Sequence, residues 1–282
     1  MEPRELWQRF ETVHAVTYFA PECRDAHEAA GLKGFWMGYF AGRAAPLGAA
    51  GPEVVGALFY NFTPARAARA LPEAWSIAGP DAALAARADG ARAALQRALA
   101  DVEPAGITEA AELAAAAART AIPDGRALFA ANAALPWPSE PLDVLWHAAT
   151  LLREHRGDGH VALLTASGLS GRECNVFQSA AGNVPREMIE RARDYDDAEW
   201  QAVVEGLAAR GLMTSDGALT AAGAALRQQL EDRTDELALA GYVGLDDAEL
   251  ARLIELLTPI AAAVVATGDI PAATPMGPTL GT

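Results

Sequence analysis

The segment from Trp146 to His160 carries the densest group of chemically active side chains in the chain. Three of the five histidines and two arginines lie within it. Its members are Trp146, His147, Arg153, Glu154, His155, Arg156, Asp158 and His160. A guanidinium group offers paired N–H donors in a planar fork, which suits carboxylates and phosphates. Arg153, Arg156 and a neighbouring histidine therefore indicate a site for an anionic ligand.

The same group of residues permits three other interpretations. His155 and His160, with Asp158 or Glu154, could bind a divalent metal ion, although H-x4-H across a glycine turn matches no strong zinc signature. Asp158 and His160 could exchange protons with a substrate, in an enzyme that uses Arg153, His155, Asp158 and His160. An arginine–carboxylate network that only fixes a turn between two helices is the structural alternative.

Aromatic residues form a second pattern, concentrated in the first quarter of the chain. Twelve of the nineteen precede residue 76, namely Trp7, Phe10, Tyr18, Phe19, Phe35, Trp36, Tyr39, Phe40, Phe59, Tyr60, Phe62 and Trp75. Rings at this density either form a core or line a pocket for a flat ligand. We expect the ligand-binding residues to be Trp36, Tyr39, Arg43, Tyr60, Trp146, His147, Arg153, Arg156 and His160.

The leading interpretation of the sequence includes no cofactor. Met37 and His14 could lie at the edge of an aromatic pocket, and either side chain can ligate haem iron. The chain has no CxxCH motif, which excludes covalently attached haem. Non-covalent haem, or a divalent metal at His155 and His160, are the alternatives.

Composition predicts an acidic cytoplasmic protein. The 282 residues contain 22 Lys and Arg against 37 Asp and Glu, for a formal net charge of -15. Such a chain repels nucleic acid at long range, whereas DNA binding depends on counterion release at phosphates. The absence of a long apolar run and of a signal-peptide core predicts no membrane contact. Cys23 and Cys174 are expected to be reduced thiols.

The order of predicted elements divides the chain at its Pro-rich stretch, PWPSEP. Prolines there predict a linker at 136–141 between an N-terminal half, 1–135, and a C-terminal half, 142–268. A tail at 269–282 is expected to be disordered. The predicted helices of the first half are 2–19, 33–43, 52–62, 64–75, 82–99 and 108–120.

In the second half a helix at 142–156 is expected to break at Gly157-Asp158-Gly159. A short helix at 160–167, a turn at 168–170 and a helix at 171–180 then match the helix-turn-helix outline, with Ser170 as N-cap. A helix at 196–210 is expected to end at Gly211. A two-stranded hairpin with an Asp-Gly turn follows at 212–220, and a long helix runs to about residue 239.

The last part of this half resembles a known protein family. The run LAARGLMTSDGALTAAGAALRQQLEDRTDELA resembles the wing and dimerisation helix of MarR-type winged-helix proteins. The whole chain is similar to an actinobacterial helix-turn-helix family, with LWHAATLLREHRGDGHVALL as the most distinctive segment. The resemblance implies a mainly α-helical fold with a small β-hairpin wing, and a homodimer joined by terminal helices.

An internal duplication is a further interpretation. Phe35-Trp36 precedes Arg43 by seven residues, and Leu145-Trp146 precedes Arg153 by seven. Two winged-helix-like halves would then form a pseudo-dimer within one chain. The alternative is two unrelated helical segments that each contain a tryptophan.

The expected DNA-reading surface has few positive charges. The helix at 171–180 would offer Arg172, Asn175 and Gln178, and its first-half counterpart would offer Arg66 and Arg69. The predicted wing contains Asp216 and no arginine. We therefore expect a winged-helix scaffold that binds a small aromatic or anionic molecule, with weak or no DNA binding. A ligand-responsive MarR-like transcriptional regulator and the enzyme described above are the alternatives.

Overall fold

The protein is almost entirely helical. A computed structural model describes residues 3–271 and residue 274, so most of the predicted disordered tail lies outside the described residues. Within these described residues, fifteen α-helices and two short 3-10 helices form the fold. The α-helices are α1 (Pro3–Phe19), α2 (Pro21–Ala29), α3 (Gly34–Ala44), α4 (Pro52–Phe59), α5 (Pro64–Ala68), α6 (Leu71–Ile77), α7 (Pro80–Ala98), α8 (Pro104–Thr120), α9 (Ala127–Ala133), α10 (Pro141–Ala166), α11 (Gly171–Ala180), α12 (Arg186–Arg193), α13 (Asp197–Ala209), α14 (Ala221–Ala238) and α15 (Asp247–Ala266). The prediction of a mainly α-helical chain is confirmed, and none of the described helices has the length and apolarity needed to cross a membrane.

Helix α10 lies at the centre of the molecule and packs against α1, α7, α8, α9 and α14. The largest core joins α1, α7, α8, α10 and α15. Alanines on α8 that are fully buried, such as Ala110, Ala114 and Ala117, allow that helix to approach α10 closely. This core contains residues from both sides of the Pro-rich stretch 136–141, so the stretch connects two parts of one hydrophobic interior.

The predicted break of α10 at Gly157-Asp158-Gly159 is wrong, because α10 continues as one helix of 26 residues. A glycine inside a helix costs about 1 kcal/mol relative to alanine. Packing of α10 against its neighbours outweighs that cost, since most of its residues are buried. Asp158 is itself buried and accepts a hydrogen bond from the Phe129 amide of α9 at 2.9 Å.

The predicted continuous helix at 64–75 is also wrong, since it divides into α5 and α6. Pro72 has no amide hydrogen and cannot continue the hydrogen-bond pattern of a preceding helix. It instead occupies the first turn of α6, where proline is tolerated. Thr63 caps α5, since its side chain accepts a hydrogen bond from the Arg66 amide.

A second core lies around α11, α12 and α13. The predicted turn at 168–170 and the helix at 171–180 are confirmed, and Ser170 forms a capping box with Glu173. Asp196 forms a second capping box with Glu199 at the start of α13. These caps satisfy backbone N–H groups that would otherwise lack partners at the two helix starts.

The predicted two-stranded hairpin after α13 does not form strands. Met213 and Leu219 make an isolated antiparallel bridge, which is the only β pairing within the described part of the chain. The Thr214 amide donates to the Ala218 carbonyl at 2.8 Å across the turn. On the other side of the bridge Thr220 donates its amide hydrogen to the Leu212 carbonyl at 3.1 Å, and its side chain accepts from the Gly223 amide at the start of α14.

Aromatic rings form a third core around α3 and α4. Phe40, Phe59 and Phe62 pack against one another with ring centroids 5.1 to 6.4 Å apart. Helix α4 ends at Phe59, three residues earlier than predicted, because Tyr60 adopts a positive φ of 58°. The Tyr60 hydroxyl donates to the Leu169 carbonyl, and this contact joins the third core to the second.

Candidate ligand-binding site

A cavity of about 340 Å³ lies where α1, α10, α14, the α4–α5 loop and the α11–α12 region meet. Ligand pockets for small organic molecules start at about 300 Å³. Six arginines contribute to its walls, namely Arg4, Arg43, Arg153, Arg156, Arg193 and Arg227. Together with the aromatic residues of α1, α3 and α4, they give the cavity a cationic and aromatic lining.

Three of these guanidiniums lie directly over aromatic rings. Arg156 lies 4.1 Å from the ring centroid of Trp7, and Arg43 lies 4.2 Å from that of Phe59. Arg193 lies 3.9 Å from the ring centroid of Phe62. Cation–π contacts of this kind hold guanidinium groups in place without neutralising their charge.

Glu154 organises two of the arginines from the centre of α10. Its carboxylate accepts from Nε and Nη2 of Arg43 at 3.1 and 3.2 Å, and lies 2.9 Å from Nη1 of Arg153. Arg153 also donates to Glu11 of α1. Burial would raise the pKa of Glu154, but Arg153 and Arg43 hold that pKa well below its ordinary value. The carboxylate therefore stays ionised and fixes both guanidiniums.

Two further arginines share carboxylates of α14. Arg156 donates to Asp235 at 2.9 Å, and Arg4 donates to the same carboxylate. Both guanidiniums also lie within ion-pairing distance of Glu231. These contacts join α1, α10 and α14 along one wall of the cavity.

Arg193 and Arg227 differ from the other four because neither forms an ion pair with a described residue. Arg193 is 8% exposed, and its one hydrogen bond is to the carbonyl of the adjacent Ala192. Arg227 donates to the amide oxygen of Asn183 at 3.2 Å. The Nε atoms of both arginines, like that of Arg156, are buried and have no hydrogen-bond partner among the described residues. Burial lowers the pKa of Arg193 to about 10, so the group remains charged at neutral pH.

Asp158 and His160 both line the cavity. Burial raises the pKa of Asp158 to about 6, although its hydrogen bond from Phe129 acts in the opposite direction. Burial lowers the pKa of His160, whose Nδ1 lies 2.9 Å from the Thr234 hydroxyl. Asp158 can therefore take up a proton close to neutral pH, whereas His160 is neutral there.

Six of the nine predicted ligand-binding residues line this cavity: Tyr39, Arg43, Tyr60, Arg153, Arg156 and His160. The other three lie elsewhere. Trp36 packs against Phe62 beneath the Arg66 guanidinium. Trp146 is buried in the largest core, and His147 makes an edge contact with Trp137.

The residues considered as ligands for haem or metal have other partners. His14 has both ring nitrogens engaged, with the Thr150 and Tyr18 hydroxyls at 2.9 Å. Met37 packs against the aromatic core, and His155 makes an edge contact with Phe129. Within the described residues, no group of three or more His, Cys, Asp and Glu side chains is arranged to hold a metal ion.

The five predicted DNA-binding residues make contacts inside the protein. Arg66 and Arg69 pair with the Asp194 carboxylate, and Arg172 donates to the Asp194 carbonyl. Asn175 is buried and donates to the Asn61 carbonyl. Gln178 lines the cavity and accepts from the Asn183 side chain. Only Arg69 has a largely exposed side chain, at 63%.

Sequence reasoning missed Arg193 and Arg227. Arg193 lies in a charged run, ERARDYDD, that is typical of an exposed surface, and Arg227 belongs to the predicted dimerisation helix. Nothing in their spacing relates either residue to Arg153. Only the approach of α12 and α14 to α10 brings them to one cavity.

A model of a helix-turn-helix family matches residues 3–271, nearly the whole chain. No curated protein and no solved structure matches.

Proposed function

We propose, from the premise that this chain belongs to the helix-turn-helix family, that it binds a small aromatic or anionic molecule in the cavity beside α10. The observation that carries this proposal is a cavity of about 340 Å³ with cations stacked on its ring walls. A flat ligand can pack on the rings while the guanidiniums attract its negative charge.

Ligand screening by thermal unfolding tests this function. A compound at one hundred times its dissociation constant adds about 2.7 kcal/mol to the unfolding free energy. For a chain of this size that corresponds to a midpoint increase of several degrees. We expect such increases with aromatic carboxylic acids.

A pair of tryptophan variants shows whether the ligand occupies this cavity. Trp7→Leu removes a ring that lies under Arg156 in the cavity wall. Trp137→Leu removes a comparable ring, which lies under Arg119 at 4.3 Å and outside the cavity. We expect ligand affinity to fall in the first variant only. An equal loss in both, or no compound that shifts the midpoint, would contradict the proposal.

A second candidate function, ligand-responsive regulation of DNA binding, is favoured by a second helix-turn-helix outline. Helices α12 and α13 are separated by three residues, 194–196, and the isolated β bridge follows α13. Arg193, the last residue of α12, lines the cavity, so a ligand there would contact this outline directly.

The charge of α13 argues for weak or absent DNA binding. In a helix-turn-helix the second helix enters the major groove. The exposed residues of α13 include Asp197, Glu199 and Glu205, which would repel phosphates. We expect no change in the fluorescence anisotropy of labelled duplex DNA at low salt, with or without ligand. A salt-dependent increase that disappears in Arg69→Ala would favour the regulator.

The finer features of the fold remain predictions: two winged-helix-like halves, related by duplication and acting as a pseudo-dimer. One contact supports them. Arg43 and Arg153, which occupy equivalent positions in the predicted repeat, both pair with Glu154.

A further inference from the structure

We infer that Arg193 and Arg227 form the anion-binding end of the cavity and take the carboxylate of a singly charged aromatic acid. This inference rests on the proposed function and identifies the class of ligand. It concerns two residues that the sequence pattern does not indicate.

The first observation is the environment of Arg193. Its side chain is more than nine-tenths buried, yet it has no carboxylate partner among the described residues. An unpaired buried charge is strongly unfavourable unless something else compensates it. The ring of Phe62 and the C-terminal carbonyls of α12 supply only part of that compensation. A bound anion would supply the rest.

The second observation is the way Arg227 is held. Asn183 accepts a hydrogen bond from Arg227 Nη2 and donates its own amide hydrogen to Gln178 at 2.5 Å. This chain of contacts fixes one edge of the guanidinium and leaves its buried Nε without a partner. Arg227 and Arg193 come from different helices but line the same cavity. Guanidinium groups that have no carboxylate partner among the described residues are suited to bind the carboxylate of a ligand.

Charge balance favours a single negative charge on the ligand. Six arginines line the cavity, and five carboxylates line it or pair with those arginines: Glu11, Glu154, Asp158, Glu231 and Asp235. One positive charge is left over. A carboxylate neutralises it, whereas a phosphate dianion would leave an excess negative charge among these side chains.

The remaining walls of the cavity are apolar and suited to the aromatic ring of such an acid. Leu58, Phe59 and Phe62 line the cavity from the side of the aromatic core, and Leu164 and Val184 line it from the side of the second core. Apolar walls with a few convergent polar groups are typical of sites for small organic ligands.

Calorimetric titration with matched acids and amides tests the inference. Benzoate and phenylacetate differ from benzamide and phenylacetamide only in the charged group, and phenyl phosphate supplies a dianion. In the wild-type protein we expect each acid to bind at least about tenfold more tightly than its amide, which is a difference of about 1.4 kcal/mol. Phenyl phosphate should bind more weakly than phenylacetate.

Variants then locate the anionic group. Arg193→Gln and Arg227→Gln should each lower acid affinity about tenfold or more and leave amide affinity unchanged. Arg233→Gln, on the exposed face of α14, should change neither affinity. If Arg193→Gln does not fold, Arg227→Gln and the charge-preserving Arg193→Lys still test the site.

The possible failures are distinguishable. Acids that keep their advantage over amides in both glutamine variants would overturn the inference, while the proposed function would survive if Trp7→Leu still weakened binding. Phenyl phosphate that binds as tightly as phenylacetate would overturn the single-charge assignment. If neither acids nor amides bind, both the inference and the proposed function are wrong.

Discussion

The Arg66 guanidinium and the Asp194 carboxylate join α5 to the turn between α12 and α13, with Nη1 and Oδ1 2.5 Å apart. Arg69 pairs with the same carboxylate, and Arg172 donates to the backbone carbonyl of Asp194. Three arginines that the sequence marks as DNA contacts therefore converge on one turn residue. Asp194 also has a positive φ of 54°, a conformation that aspartate and asparagine tolerate better than most residues.

Asp194→Asn tests how much this convergence stabilises the fold. Asparagine keeps the backbone conformation but removes the charge from two ion pairs, so we expect a loss of about 1–3 kcal/mol. Urea denaturation of the variant measures this change. Asp101→Asn, at an exposed residue, should change stability by less than about 0.5 kcal/mol. Equal stability of the two variants would show that the convergence contributes little.

Glu154→Gln should lower the unfolding free energy more than Asp194→Asn does. It leaves the buried Arg43 and Arg153 guanidiniums without their shared counter-charge, so we expect a loss of about 3–5 kcal/mol. Because the folded pKa of Glu154 lies below its value of 4.5 in a free chain, its stabilisation is present above that pH and is lost as the pH falls.

Denaturation of wild type and Glu154→Gln at neutral pH measures that loss. Glu255→Gln, at an exposed ion pair with Arg252, is the matched control and should cost less than about 1 kcal/mol. A loss below 1 kcal/mol in Glu154→Gln would contradict the central role of this carboxylate.

The contribution of Asp158 to the unfolding free energy should change with pH in the direction opposite to that of Glu154. The folded pKa of Asp158 is about 6, above its ordinary value of 3.8, so the folded state binds more protons than the unfolded state between these values. This group therefore destabilises the protein as the pH rises through that window, by an amount on the order of 3 kcal/mol.

In Asp158→Asn, the asparagine can still accept the hydrogen bond from Phe129 but cannot ionise. The unfolding free energy of the variant minus that of wild type should therefore increase between pH 4 and pH 7. A difference that stays constant across this range would show that Asp158 has an ordinary pKa in the folded protein.

Gly171→Ala tests the junction between the second and third cores. A Cβ atom at residue 171 would overlap the carbonyl oxygen of Tyr60, which is backbone and cannot rotate away. We expect a loss of at least about 2 kcal/mol, together with weaker ligand binding, because Tyr60 lines the cavity.

Gly206→Ala is the matched control for that substitution. A Cβ atom there meets no atom within 4 Å on the exposed face of α13, so alanine should stabilise the protein by about 0.5–1 kcal/mol. Thermal unfolding of both variants measures the contrast. Similar midpoints would show that the α11 junction can adjust.

Local chemistry made several elements predictable from the sequence. Ser170 and Thr220 start their helices where the pattern of side chains predicted, because a capping hydroxyl needs only backbone amides two or three residues away. The start of α10 at Pro141 is equally local, since proline favours the first turn of a helix.

The errors occur where distant packing outweighs a local preference. Gly157 and Gly159 are helix-breaking in isolation, yet they continue α10 because that helix is buried against its neighbours on several sides. The sequence also could not assign Asn175 to the interior, because its burial depends on the distant Asn61 and Tyr195.

By itself, then, the sequence determined that the chain is helical and where several of its helices begin, and it marked Arg43, Arg153 and Arg156 as candidate ligand-binding residues. Composition, periodicity and capping are properties of neighbouring residues, and they suffice for such conclusions. Only the tertiary structure decided that Arg193 and Arg227 share a cavity with them, and that Arg66 and Arg172 are held at Asp194. Charge pairing and burial depend on which helices meet, and residues far apart in the chain carry no local signal of that meeting.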